Sequence, residues 1–327
     1  MRPKVMECLG ELYSRLDESG MINLLDFSMN AMATKLGQLL LPNRFKQFLP
    51  KRDPKATKFF VDFIRHIISE RRQNPDLKPD DFIQLLMDAE MDITNLVADG
   101  LSSVGNRRSW DKQLAENEMI AQGFLFLVAT YGGTALMLAF SIYEMAVNED
   151  IQRRLYDELK GAIDSETGEI PDHVLARLPY LEGVISETLR RYTGTIPLAR
   201  YCTQDCKLGD TGIIVKAGQQ IEISVHAIHH SDLNYQDPFK YDPDRFMPDR
   251  KHLIKPYTYL QFGAGPRHCV GMRFALFEIK LALASLILRY RFLRCFKTDV
   301  PIRYKRFIHQ THPCRVIVNV NKRDLLN

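Results

Sequence analysis

The segment Phe262-Gly-Ala-Gly-Pro-Arg-His-Cys-Val-Gly271 decides how the rest of this 327-residue chain is read. Cys269 stands immediately ahead of a strong amphipathic helical pattern running from about Val270 to Tyr290. The free N–H groups and the dipole of a helix start favour a thiolate, and a cysteine is a strong metal ligand only while deprotonated. Gly263 and Gly265 permit a tight loop where backbone approaches a flat ligand, and Gly271 leaves room for the same approach. Arg267 sets a fixed cation two residues from the sulfur, suited to a carboxylate. Phe262 is placed to shield the sulfur from water and so to tune a bound metal. The plainer alternative is a buried structural cysteine beside a glycine-rich turn. A dinucleotide-binding glycine loop is excluded, because position 268 is His and no strand-then-helix unit surrounds it.

The segment resembles the cysteine loop of the haem-thiolate cytochromes of the P-450 type, which reads Phe-x-x-Gly-x-Arg-x-Cys-x-Gly. Phe262, Gly265, Arg267, Cys269 and Gly271 fill its five fixed positions. The resemblance implies a mainly α fold with small β-sheets and haem b (heme b, iron protoporphyrin IX) as cofactor. Cys269 is then the axial iron ligand and Arg267 the partner of a propionate. Taken alone, Glu187-Thr-Leu-Arg190 is an ordinary pair on one helical face. In the family such a helix meets a second arginine from a later Pro-Glu-Arg-Phe segment, here Pro243-Asp-Arg-Phe246. The resemblance therefore implies a buried triad of Glu187, Arg190 and Arg245, with Asp244 as a departure that leaves the triad untouched. It also puts Arg200 on a propionate, with a surface arginine as the even alternative, and Ile196, Leu198 and Ala199 along a substrate cavity.

The family's distal helix carries Ala-Gly-x-(Asp/Glu)-Thr-Thr, whose acid and hydroxyl deliver protons to bound oxygen. Counting back from Ile142-Tyr143-Glu144, this chain has Ala129-Thr-Tyr-Gly-Gly-Thr134. Gly132 replaces the acid and Gly133 the first Thr, leaving Thr134 as the candidate distal hydroxyl, and Thr130 replaces the usual glycine. Ala129 and Gly133 would border the substrate. Three functions stay open. One is a monooxygenase that inserts one atom of O2 into small lipophilic substrates, with electrons from an NADPH-cytochrome reductase. The second is an oxygen-independent isomerase or dehydratase on the same fold. The third is a haem binder without activity.

Outside these motifs the chain reads as helices over 4–18, 22–36, 54–72, 81–90, about 111–147, 150–160 and 178–192. A polar loop spans 100–111, strands and turns occupy 196–225, and a proline-rich meander covers 232–262. All of this is expected to form one domain over 1–327, helical in 1–110. Lys plus Arg number 44 against 40 Asp plus Glu, a balance that excludes nucleic acid as a partner. Six scattered cysteines argue for reduced thiols, with Cys202 and Cys206 as two ordinary ones and no zinc site. His226, His229 and His230 read as ordinary polar residues. The apolar run 124–140 reads as a buried helix rather than a membrane span. The resemblance places the protein at the endoplasmic reticulum membrane. Family members are longer at the N-terminus, so an N-terminally truncated chain without an anchor segment is expected.

Overall fold

The computed structural model describes residues 21–23, 54–74, 76, 78–88, 114–193, 197–304 and 313–323. These residues are mainly helical, as expected, with eight α-helices and seven short strands in three antiparallel sheets. The chain divides into two compact units, residues 28–132 and residues 1–27 with 133–327. The division falls between Gly132 and Gly133, inside the longest helix.

In the unit 28–132, α1 (Pro54–Gln73) begins on a proline, whose fixed φ and missing N–H suit a first helical turn. Its Ile64 and Ile68, four residues apart, form a core with Met119 and Ile120. At Gly123 the approach is close, since a Cβ added there would lie 3.3 Å from Ile64 Cγ2. Asp81 caps α2 (Phe82–Asp88), its Oδ1 accepting the Gln84 N–H at 3.0 Å. The helical reading of 4–18 and the loop reading of 100–111 fall outside the described residues.

The long helix α3 (Glu116–Val147) starts later than a beginning at Asp111 would have it. Glu118 Oε2 accepts the Ala115 N–H at 2.9 Å, which satisfies an end group and sets the first regular turn after Ala115. Between Leu136 and Ala146 nearly every residue is buried. Among the described residues this is the one helix long and apolar enough to cross a membrane, and half of its most apolar window is buried.

The larger unit holds α4 (Glu149–Gly161), α5 (Asp172–Leu175), α6 (Pro179–Arg191), α7 (Val225–His229) and α8 (Met272–Arg289). From Tyr180 to Arg190, every residue of α6 except Glu182 is buried. Its first N–H groups, on Tyr180 and Leu181, donate to the Glu158 carboxylate of α4 at 2.7 and 2.8 Å. Beyond Ile279, α8 is buried nearly all round rather than amphipathic, because it packs against both α4 and α6. The buried Lys280 is satisfied by Ala176 O at 2.7 Å and the Glu182 carboxylate at 2.5 Å.

One sheet pairs β1 (Met21–Asn23) and β6 (Tyr290–Leu293) with the two edges of β7 (Ile317–Lys322). Ile22 and Asn23 are thus strand residues, which corrects the start of the helix read over 22–36. Their hydrogen-bond partners lie at the far end of the chain, where no local periodicity can reveal them. The β2 strand (Leu198–Tyr201) pairs with β5 (Gln220–Ile223), and β3 (Cys206–Lys207) with β4 (Ile214–Val215).

Gly183 fixes how α6 meets the meander. A Cβ added there would sit 2.8 Å from Pro243 O, a backbone atom that cannot swing aside. Gly183→Ala is expected to destabilise the fold by about 1–3 kcal/mol through overpacking, read as a lowered urea midpoint.

Candidate functional site

The loop before α8 is closed by its own backbone. The Cys269 N–H donates to Phe262 O at 2.8 Å, and Gly263 N–H to Leu260 O at 2.9 Å. His268 donates twice to Gly265 O, from its backbone N–H at 3.0 Å and its ring Nδ1 at 2.9 Å. Gly263 and Gly265 lie at φ 73° and 77°, a region that side chains with a Cβ resist. The regular helix begins at Met272, with Gly271 as its N-cap and a Cβ added there 4.0 Å from Cys269 Sγ.

Cys269 is exposed, which removes the reading of a buried structural cysteine. Phe262 is half-buried and Arg267 exposed, while Val270 is 93% exposed. Nothing lies within 4 Å of a Cβ added at Gly265. A bare thiol, a cleared backbone, an uncovered valine and a nearby guanidinium fit a flat apolar macrocycle bearing carboxylates. Haem is such a group.

Strand β2 reaches this loop through Leu198, whose Cδ2 would lie 3.8 Å from a Cβ on Gly263. Side chains alternate along a strand, so Arg200 shares the face of Leu198, while Ala199 turns the other way. Leu198 and Ala199 are half-buried. Arg200 is exposed and donates to Ala199 O at 2.8 Å. Ile196 lies outside the described residues.

Glu187, Arg190 and Arg245 come together beneath the meander. The Arg190 fork donates to both Glu187 oxygens at 2.7 and 2.8 Å, with both side chains at 0% exposure. Its other N–H groups reach His229 O at 2.7 Å and Pro238 O at 2.8 Å. Glu187 Oε1 also accepts the Asp242 N–H at 2.9 Å, and Arg245 Nε lies 3.5 Å from that oxygen. Arg245 in turn holds Asp237 O at 3.0 Å, where the backbone sits at φ 47° without being glycine. For Glu187 and Arg190 this network satisfies charges that would otherwise make burial prohibitive, while Arg245 Nε is buried without a hydrogen bond. Asp244 stays out of it and pairs with Arg154 of α4 at 2.8 Å.

Two residues that pattern reading passed over belong here. His229 is fully buried, not an ordinary polar residue. Its Nδ1 donates to Arg190 O at 3.0 Å and its Nε2 accepts the Leu260 N–H at 2.9 Å, tying α6 to the cysteine loop. Only the neutral ring can make both bonds. Burial holds its pKa down at about 4, against an ordinary 6.5. The unfolded chain therefore takes up a proton that the fold refuses, and stability is lost as pH falls from about 6.5 toward about 4. Between pH 7 and pH 5 the His229 contribution is expected to drop by about 2 kcal/mol. Denaturant curves at the two pH values for wild type and His229→Gln check this, since the variant should lose less on acidification.

Glu278 of α8 is the second. Burial pushes its pKa up, while the neighbouring Thr134 side chain pulls it partly back. Thr134 is buried, near a carboxyl group that sequence reading had not paired with it. Thr130 turns its hydroxyl back to Phe126 O at 2.9 Å. Ala129 and Gly133, four residues apart on one face of α3, are both exposed, with nothing within 4 Å of a Cβ added at Gly133. A lone acid inside the apolar run Leu276-Phe-Glu-Ile-Lys-Leu-Ala was the available signal for Glu278. For His229 no local signal existed, since its burial comes from the meander.

Known proteins bear on the same residues. The family model described as Cytochrome P450 matches residues 6–318. Cytochrome P450 9e2 of Blattella germanica is 34% identical over 272 residues, which is 82% of this chain and 50% of that protein. Cytochrome P450 3A16 of Mus musculus is 32% identical over 269 residues, again 82% and 50%. Thromboxane-A synthase of Sus scrofa is 34% identical over 284 residues, 81% of this chain and 51% of the other. The chain thus spans about half the length of the curated relatives it matches. The mainly α fold with small sheets, the cysteine loop and the matched span together place this chain in the cytochrome P450 family.

Proposed function

We propose that this chain is the haem-binding part of a haem-thiolate monooxygenase acting on small lipophilic substrates. The observation that carries the reading is the exposed Cys269 on a loop closed by two left-handed glycines and tied through His229 to a buried ionic triad. Cys269 holds the iron, Gly265 and Gly271 clear the ring, Arg267 and Arg200 pair with its carboxylates, and Phe262 screens the sulfur. When bound, haem b supplies an iron centre at which O2 is activated, with electrons from NADPH delivered by a reductase. Leu198, Ala199 and Gly133 border the substrate. Both compact units belong to one P450 domain over 1–327, a reading supported by the family match across 6–318. By likeness to the mammalian relatives, the protein works at the endoplasmic reticulum membrane.

Proton supply follows from Thr134 and Glu278. With the carboxyl ionised, the neighbouring Thr134 side chain favours that form, as a donating hydroxyl would. With Glu278 protonated, a state that burial favours, the direction reverses: the acid donates to Thr134 Oγ1, and the threonine proton is free to move on. Gly133 next to it leaves room for a water that completes the transfer. Glu278 then replaces the acid missing at Gly132.

A second reading, an oxygen-independent isomerase or dehydratase, is favoured by the absence of an acid and a hydroxyl at Gly132 and Gly133. The two part experimentally. Product from a lipophilic substrate that needs reductase, NADPH and O2 supports the first; rearrangement of an organic peroxide without reductase supports the second. Neither activity in haem-loaded protein leaves a haem binder.

A further inference from the structure

We propose that Cys202 and Cys206 form a redox-active dithiol that closes to an intramolecular disulfide against glutathione disulfide. The two sulfurs lie 3.4 Å apart, Cys206 exposed and Cys202 partly so. A disulfide needs them about 2.05 Å apart, a gap that small side-chain rotations span. The backbone around them is already in place. Cys202 sits just past β2, where its N–H donates to Gln219 O at 2.9 Å and its C=O accepts from Gly218 at 2.7 Å. Cys206 is held on the other side by its pairing with Val215. Asp205 fixes the intervening turn, one oxygen accepting the Ala217 N–H at 2.9 Å and the other meeting Lys216 Nζ at 2.8 Å. The entropy of bringing the thiols together has thus been met by the fold before any oxidant arrives.

The chemistry balances in two exchanges. The Cys202 thiolate attacks one sulfur of glutathione disulfide, breaking its S–S bond and releasing one glutathione thiolate. Cys206 then loses its proton to solvent and attacks Cys202 Sγ, expelling the second glutathione. Two cysteine thiols are oxidised and one glutathione disulfide is reduced to two thiols. The order follows from the hydrogen bond between the sulfurs, which raises the pKa of the Cys206 thiol and casts it as the resolving thiol. The closed pair would clip the hairpin attached to β2, the strand whose Leu198 touches the cysteine loop.

The test equilibrates the full chain in glutathione buffers, quenches with an alkylating agent and maps peptides by mass. The expected product is a 202–206 peptide lacking two hydrogens, while Cys295 and Cys314 are alkylated. Diluting the whole glutathione pool tenfold at a fixed thiol-to-disulfide ratio should raise the closed-to-open ratio about tenfold, because closure releases two glutathiones. Cys206→Ser should instead stop at one glutathione adduct on Cys202. Alkylation of both cysteines at every ratio, two separate adducts, or a closed-to-open ratio indifferent to dilution would each overturn the proposal.

Discussion

Arg190→Ala is expected to destabilise the fold by about 3–5 kcal/mol, the cost typical of breaking a fully buried ion pair from one side. The substitution would strand the Glu187 carboxylate at 0% exposure and leave His229 O and Pro238 O without their donors. Arg190→Lys should recover little, since an ammonium cannot supply the fork that meets both Glu187 oxygens. Arg245→Ala should cost less, because its Nε stands 3.5 Å from Glu187 and the side chain retains 9% exposure. Guanidinium unfolding of the three variants checks the order; equal losses for Arg190→Ala and Arg245→Ala would contradict it.

Cys269→Ala should abolish the thiolate-type Soret band of the reduced carbon-monoxide complex entirely, because among the described residues no other cysteine stands at the head of α8. The exposed thiol contributes little to packing, so with haem removed from both the variant should unfold within about 0.5 kcal/mol of wild type. Loss of the band with stability kept isolates ligation from folding. A thiolate band that survives in Cys269→Ala would dismiss Cys269 as the ligand.

What could be read without coordinates was what lies close along the chain. The cysteine loop packs ligand, cation and both glycines into ten residues, and Glu187 and Arg190 are three apart. Their helix was legible because Pro179 opens it and apolar residues recur on its faces. Long-range pairings were not legible. The strand at Met21–Asn23 exists through β7, the burial of His229 through the meander, and the nearness of Thr134 to Glu278 through residues 144 apart in the chain. Cys202 and Cys206 read as unrelated thiols because only the β3–β4 register turns one toward the other. The late start of α3 at Glu116 depended on one side chain, Glu118, choosing a backbone partner.

The triad grips the end of α7 and the meander almost wholly by main-chain atoms: the carbonyls of His229, Asp237 and Pro238 and the amide of Asp242. Any residue able to follow the same path presents those atoms. Phe239 and Lys240, between them and exposed, should therefore accept broad randomisation. The meander can drift widely in composition while keeping its shape, so long as three distant side chains stay put.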